Sequence, residues 1–315
     1  MQTTPTQRPL RVRTLPDATG ILWGLWPALG GMALLGSSVA VIGATSGLPA
    51  FGLQGARYAV AAVAVVVLAR LLGRRLVFPR GLDVLWVVGG ALSGLVGFNI
   101  AVVIGTAHAE PAVLGAAVAC IPIVLSVAGP LTRGRRPPPR LVAAAVVVSL
   151  GAVAVTGWGT ADALGILMAL SLIALEAGLT LLGAPALPRM GAWSYTAATA
   201  AVAALVFSVL SIMTERAELG LLLGPASLGA VAYLGVVATA LAFVLWFTGV
   251  ERVGAGSAGL AAGAAAPAAA LIGALFGAPL PTLGTWLGMT VIGAGLAVAF
   301  APLPRRVGSR SGEVS

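Results

Sequence analysis

The 315-residue chain has no lysine, and it carries only one cysteine and one histidine. A Walker A phosphate loop requires a lysine after its last glycine, so the chain cannot contain this ATP-binding motif. The missing lysine equally excludes a Schiff base with pyridoxal phosphate. A single cysteine cannot form an internal disulfide, and one cysteine and one histidine are too few for a structural metal site. We therefore expect no cofactor, no metal and no ATP-driven pumping by this chain alone.

Charged residues are also scarce, at 9% of the chain, whereas soluble domains carry roughly 25%. Hydrophobic residues make up 59%, and the mean hydropathy is +1.05. Ten apolar stretches are each close to the ~20 residues that a helix needs to cross a bilayer. These values predict an all-α integral membrane protein with ten transmembrane helices. The stretches are residues 21–43, 52–73, 84–106, 111–131, 140–158, 163–184, 191–213, 227–249, 255–276 and 282–301.

Arginine placement predicts the orientation. All 18 basic residues are arginines, and 15 of them lie in the two tails or in alternate connections between the stretches. Because positive residues favour the cytoplasmic side, we expect both termini, 1–20 and 302–315, to be cytoplasmic tails of a multi-pass protein of the inner (cytoplasmic) membrane. The net charge of +9 then reflects topology and attraction to membrane lipids. We expect no nucleic-acid partner, because no basic patch with interleaved aromatics marks a folded soluble domain.

The two halves of the chain resemble each other. Laying Pro122 on Pro267 also lays Phe98 on Phe243. With five stretches in each half, the halves enter the membrane from opposite sides, so we predict two inverted five-helix repeats. Such repeats place a substrate site near the midplane, where they meet. The predicted repeats span residues 21–158 and 159–301.

Prolines and glycines inside the stretches are candidate hinge and packing residues. A proline inside a membrane helix frees a backbone carbonyl, which is tolerated where neighbours or a wet cavity satisfy it. Pro122 and Pro267 are therefore candidate hinges. Gly259 and Gly263 are four residues apart, a spacing that lets membrane helices approach closely.

Several short segments together form a family pattern. In the second half they are Phe243–Phe247, the turn Arg252–Ser257, Pro267, the turn at 276–280 and the Gly-x-Gly element within 292–295. The first half repeats parts of this pattern in Gly36-Ser37-Ser38, Ala56-Arg57-Tyr58 and Pro122. In these residues the chain resembles the EamA family of the drug/metabolite transporter superfamily, over about residues 21–301.

This resemblance implies a secondary transporter that is not an enzyme. It would move small metabolites, such as amino acids or drug-like compounds, more often outward than inward. Alternating access would be driven by a proton or substrate gradient, and the chain could form a homodimer. The alternative is an intramembrane enzyme acting on lipid-linked or apolar substrates. Such an enzyme needs a nucleophile and a base at one membrane depth, whereas Cys120 and His108 lie far apart in depth.

Glu176 is the foremost candidate for binding or coupling, because it lies deep in the sixth stretch. An ionisable residue in a membrane helix usually faces the bundle interior or a wet cavity. Ala169, Thr180 and Gly183 share its helix face and form a small or polar stripe. Glu176 is predicted to be a protonatable site or a contact for a substrate amine. The alternative is a neutral carboxylic acid with a local hydrogen bond.

Other polar residues inside the stretches are further candidates. Arg57 is either an anchor for a substrate carboxylate or an interface residue that snorkels to the surface. Asn99 is either a substrate partner or a hydrogen bond between helices. The weaker candidates are Tyr58, Ser37, Ser38, Thr180 and Trp246, because hydroxyls can bond to their own helix and a tryptophan can be only an interface residue.

Overall fold

The computed structural model describes residues 18–43, 45, 47–275 and 280–300. Most of both predicted tails, 1–17 and 302–315, and the turn residues 276–279 of the family pattern lie outside this part of the chain. The described residues are helical and contain no strand, apart from one isolated bridge between Ala109 and Ala161. The predicted all-α class is confirmed.

Each predicted stretch coincides with one helix. By length and composition, α2 to α9 can each cross a membrane, whereas α10 is apolar but shorter. Eight spans are thus supported among the described residues, and the count of ten stays a prediction. The helices are α1 (Ala18–Gly43), α2 (Ala50–Leu71), α3 (Leu82–Gly105), α4 (Pro111–Leu131), α5 (Pro139–Thr156), α6 (Ala163–Gly183), α7 (Leu187–Thr214), α8 (Pro225–Val253), α9 (Ala255–Leu275) and α10 (Leu283–Phe300).

Local sequence explains where these helices begin and end. Proline occupies the first position of α4, α5 and α8, where its missing N–H costs no intrahelical bond. The Asp162 carboxylate caps α6 by accepting the Gly165 backbone N–H at 2.8 Å. Gly254 is the single residue between α8 and α9. Its φ is 84°, a backbone conformation that would be strained for any residue with a side chain. The sharp reversal at Gly254 brings two adjacent helices together without a loop.

Four helices are irregular in their middle. α3 contains a π-helical segment at Ala91–Gly97, and α8 contains another at Val236–Leu241. α4 is interrupted at Cys120, two residues before Pro122, and α9 tightens into a 3₁₀ segment at Leu260–Ala264, three residues before Pro267. Both candidate hinge prolines therefore lie at interruptions. The physical cause is that proline offers no N–H to the carbonyl four residues earlier.

The helices pack in five main groups of contacts. α1 packs on α8 and α9, while α6 packs on α3 and α4. The remaining pairs are α2 with α7, α4 with α9 and α5 with α10. Small residues set the closest approaches: a β-carbon on Gly151 of α5 would lie only 2.7 Å from the carbonyl oxygen of Gly288 in α10. In the same way Gly259 lies against Leu125 of α4, and Gly263 lies against Val148 of α5.

Candidate functional site

Arg57 extends from the second turn of α2 into the bundle and is 5% exposed. Its Nε–H donates to Thr239 Oγ1 at 2.6 Å, and its Nη1 donates weakly to Gln54 Oε1 at 3.5 Å. The guanidinium carbon also lies 5.4 Å from the centre of the Tyr58 ring. Within the described residues no carboxylate pairs with Arg57. The side chain is directed towards the middle of α8, which does not fit an interface residue that snorkels to the surface.

Thr239 lies in the π-helical segment of α8. Its own hydroxyl donates to the Leu234 carbonyl, five residues earlier, at 2.7 Å, a spacing that belongs to a π-turn. The lone pairs of the same oxygen accept the Arg57 N–H. Sequence reasoning missed Thr239, because a lone threonine in an apolar helix usually bonds only to its own backbone.

Tyr58 and Asn99 join α2 to α3. The Asn99 Nδ2 group donates to the Tyr58 hydroxyl at 2.9 Å and to the Leu95 carbonyl at 2.7 Å. Tyr58 is 1% exposed, and its ring stacks on Phe207 of α7 with centroids 5.9 Å apart. Two capacities remain unused among the described residues: the Asn99 amide oxygen accepts no bond, and the Tyr58 O–H donates none. Phe207, which holds the Tyr58 ring, was not predicted.

Glu176 lies in the middle of α6, and its side chain is half-buried. Ala169, Thr180 and Gly183 on the same face are buried, so this face is directed into the bundle. Across the part of the chain that the structure covers, the Glu176 carboxyl makes no hydrogen bond and no ion pair. Its helix packs on α3, the helix of Asn99, and the carbonyl of the neighbouring Leu175 accepts the Ser93 hydroxyl of α3 at 2.8 Å. We call Arg57, Tyr58, Asn99, Glu176 and Thr239 the polar cluster.

Thr180 lies one helical turn beyond Glu176, towards the end of α6, and is bonded there to Trp246 of α8. The Trp246 indole N–H donates to Thr180 Oγ1 at 3.2 Å. Both are buried, at 2% and 1% exposure, so Trp246 is not a residue of the lipid interface. The neighbouring Phe247 meets Tyr195 of α7 edge-on at 4.8 Å. We call Thr180, Tyr195, Trp246 and Phe247 the aromatic layer; it packs α6, α7 and α8 together.

Ser37 and Ser38 lie apart from the polar cluster. Each hydroxyl donates to a carbonyl of its own helix at 2.6 Å, and Ser37 also bonds to the Tyr233 hydroxyl of α8 at 2.6 Å. These bonds join α1 to α8. The two serines therefore have their hydrogen-bonding needs met within the bundle.

Two shallow surface pockets of the described residues contain no residue of the polar cluster. One, of about 610 Å³, is lined by residues 106–111 and 160–162. There His108 Nδ1 lies 2.8 Å from the Asp162 carboxylate, and the Gly165 N–H together with His108 lowers the pKa of Asp162. The other, of about 500 Å³, lies at the start of α7 and includes Arg133 and Glu251. No group of three or more metal-binding side chains occurs among the described residues.

Charged and amide side chains enclosed between membrane helices are typical of solute pathways and proton relays. The eight described helices that are long and apolar enough to cross a membrane are those of a multi-pass membrane protein. Residues 163–301 match the sequence model of the EamA-like transporter family. This match covers less than half of the chain, and it agrees with the family resemblance that the sequence pattern predicted.

Comparison with solved structures extends the likeness to the fold of nearly the whole chain. Among 28 matching chains, one crystal structure superposes with a TM-score of 0.74 at 20% sequence identity. The match covers 88% of this chain and 97% of the other. At this identity the likeness concerns the fold alone. No curated protein matches the chain in sequence.

Proposed function

We propose that the chain is a secondary transporter that exports small metabolites, such as amino acids or drug-like compounds, across the cytoplasmic membrane. Two inverted five-helix repeats, with both termini in the cytoplasm, alternate access to a site between them. The family match of residues 163–301 supports transport rather than catalysis. The absence of a Walker A motif leaves a solute or ion gradient as the energy source.

One structural correspondence carries this proposal. The register that lays Pro122 on Pro267 also lays the π-helical segment Ala91–Gly97 of α3 on the segment Val236–Leu241 of α8. Irregular segments of this kind are rare and are frequently found at functional sites. Their presence at equivalent positions supports a repeat at the level of backbone geometry.

Helix packing supports the same repeat. If α1 to α5 are exchanged with α6 to α10, the contacts of α1 with α8 and α9 become those of α6 with α3 and α4. The pairs α2–α7, α4–α9 and α5–α10 are each converted into themselves. A bundle related by a pseudo-two-fold axis has this property, and such folds bind their solute at the repeat interface.

The polar cluster lies where a repeat-interface site is expected. Its residues come from α2 and α3 of the first half and from α6 and α8 of the second. In the proposed topology the aromatic layer lies on the cytoplasmic side of the cluster, because α6 and α8 both end there. This conformation would therefore be closed to the cytoplasm, and opening would separate Trp246 from Thr180.

Flux through purified protein in lipid vesicles tests the proposal. Vesicles are loaded with radiolabelled amino acids or fluorescent drug-like cations, and release is followed with and without an imposed pH gradient. We expect protein-dependent release that a gradient accelerates in one direction. Release that equals that of protein-free vesicles for every solute, under both gradient directions, would overturn the transporter assignment.

A further inference from the structure

The connection between α3 and α4 is joined to the connection between α5 and α6 through both backbone and side chains. The Glu110 N–H donates to the Thr160 carbonyl at 3.0 Å, and the Asp162 N–H donates to the His108 carbonyl at 3.1 Å. The Thr160 hydroxyl donates to the Glu110 carboxylate at 2.7 Å, and His108 Nδ1 lies 2.8 Å from the Asp162 carboxylate. We call residues 106–110 and 160–162 the outer clasp.

The outer clasp joins the two halves of the proposed repeat. Its residues 106–110 belong to the first repeat, and its residues 160–162 begin the second. In the proposed topology α3 ends and α6 begins on the outer side of the membrane, so the clasp lies there. The Asp162 carboxylate also caps α6, and a β-carbon on Gly165 would collide with the His108 carbonyl. The first turn of α6 therefore lies directly on the α3–α4 connection.

An equivalent contact at the cytoplasmic end has a different chemistry. The register that lays Pro122 on Pro267 also lays His108 on Val253. Val253 lies against Gly24 of α1, the helix that corresponds to α6, so closely that a β-carbon on Gly24 would collide with the valine side chain. The cytoplasmic contact is thus made by apolar atoms, whereas the outer contact is made by ionisable side chains. A change of pH acts on the outer contact directly.

His108 is the group of the outer clasp that changes its charge near neutral pH. Histidine ordinarily does so between about pH 5 and pH 8. The titratable residues of the clasp and of the helix ends that adjoin it are His108, Glu110 and Asp162. Asp162 is ionised in this range, because the Gly165 N–H and His108 lower its pKa. A proton on His108 then adds an attraction between opposite charges to the existing hydrogen bond.

We propose that the outer clasp is a pH-sensitive contact between the halves, which breaks each time the transporter opens outward and which acid on the outer side keeps closed through His108. The proposal rests on the proposed transport function, because halves that alternate access separate at the outer end. The side chains of His108 and Asp162 are 37% and 58% exposed, so solvent screens their attraction. We therefore expect protonation to slow the opening by no more than about fivefold.

A disulfide across the clasp tests whether it must open. Ala109 and Ala161 oppose each other as an antiparallel pair flanked by the two backbone hydrogen bonds. The Cα atoms of such a pair are about 4.5 Å apart, which a disulfide can bridge. In a Cys120→Ala background, we expect the oxidised Ala109→Cys/Ala161→Cys protein to lose flux in vesicles and dithiothreitol to restore it. Each single-cysteine variant is a control that should not respond to oxidation. Unchanged flux in fully cross-linked protein would overturn the proposal.

Cysteine labelling from the outer side tests the role of His108. Ala109 is 8% exposed beneath the clasp, whereas Ala107 of the same connection is exposed. Cysteines at these two positions, each in the Cys120→Ala background, are labelled with an impermeant maleimide. The ratio of the rate at 109 to the rate at 107 removes the pH dependence of the thiol itself. We expect this ratio to rise from pH 5.5 to pH 8, by no more than about fivefold.

His108→Asn is the matched variant, because its amide keeps an N–H donor near the position of Nδ1 but takes up no proton. Its labelling ratio should not depend on pH. A ratio that is independent of pH in the parent, or one that keeps the parent's pH dependence in His108→Asn, would overturn the role of His108.

The outcomes separate this proposal from the transport function. Flux that persists in the cross-linked protein would refute the clasp but not the transporter. Labelling requires no transported solute, so it tests the pH-sensitive contact even in protein without flux. A pH-dependent labelling ratio without any flux of the parent in vesicles would support the contact and refute the transport function.

Discussion

At the scale of residues, the polar side chains inside the apolar helices differ in whether their hydrogen-bonding groups have partners within the bundle. Ser37, Ser38 and Thr239 satisfy their donors within the bundle, at distances of 2.6 to 2.7 Å. Arg57 donates to Thr239 and weakly to Gln54 but has no carboxylate partner among the described residues, and Glu176 makes no hydrogen bond there. Charged groups are the most expensive ones to leave unpaired in a membrane. Since folding gains nothing from an unpaired buried charge, we attribute these two residues to function rather than to stability.

Glu176→Gln tests the coupling of transport to protons. A carboxyl group in the solute site can take a proton from one side and release it to the other as access alternates, with Tyr58 as its titratable neighbour. Glutamine keeps the size and shape of the side chain but cannot titrate. We expect flux in vesicles that no longer depends on a pH gradient, with Tm close to that of the parent protein.

Glu218→Gln in the α7–α8 connection is the matched control and should retain the pH dependence. If Glu176→Gln transports with the parent's pH dependence, Glu176 does not carry the proton.

At the scale of elements, hydropathy predicted the helices but not their irregular segments. The ten stretches fall on ten helices because an apolar run of membrane length has few other structures available. The π-helical segments at 91–97 and 236–241 have the same composition as the regular turns beside them. Their positions depend on packing between helices, so Thr239 could not be recognised as the partner of Arg57. Arg57, Tyr58, Asn99 and Glu176 were identifiable, because polar residues are conspicuous in apolar runs.

Asp162 provides a test of a single helix terminus. Its carboxylate caps α6 and pairs with His108, and both contacts lower its pKa, so the unfolded chain binds this proton more readily than the folded one. Its contribution to stability is therefore present at neutral pH and is lost as the pH falls through the lowered pKa. We expect Asp162→Ala to lower Tm at pH 7 more than Asp162→Asn, which retains a cap.

The difference between Asp162→Ala and the parent should shrink as the pH is lowered below the ordinary range of aspartate. Tm measured from pH 3 to pH 8 checks this expectation, provided that the parent remains folded in the detergent used. A Tm difference that stays constant over this range would show that the charge of Asp162 does not contribute.

The contact between α6 and α8 can be tested by Trp246→Phe. The change keeps an aromatic ring but removes the donor to Thr180, a bond with a net contribution of about 1 kcal/mol. If this bond holds the aromatic layer closed, its loss should increase the open population roughly fivefold. The measurement is the rate at which an impermeant maleimide, applied from the cytoplasmic side, labels Ala177→Cys in a Cys120→Ala background.

Thr248→Val is the matched control, since the Thr248 hydroxyl donates only to Val244 of its own helix. It should leave the labelling rate unchanged. A rate in Trp246→Phe equal to that of the control would show that the bond to Thr180 does not restrict access.

At the scale of the whole molecule, the distribution of charge and the packing of the halves lead to one architecture. The exchangeable helix contacts support the proposed repeat, and the arginine bias supports the proposed orientation. These two observations are independent, because the contacts between helices are the same whichever side of the membrane is cytoplasmic. The combination predicts that equivalent connections of the two halves lie on opposite sides.

Reporter fusions test this architecture directly. The connection between α4 and α5 carries Arg133, Arg135 and Arg136, whereas the connection between α7 and α8 carries Arg216 alone. Positive residues are retained on the cytoplasmic side, so a reporter that is active only in the cytoplasm should be active after Arg136 and inactive after Glu218. A reporter that is active only outside the cytoplasm should show the reverse. Activity on the same side for both positions would be incompatible with three helices between them, and the inverted repeat would have to be abandoned.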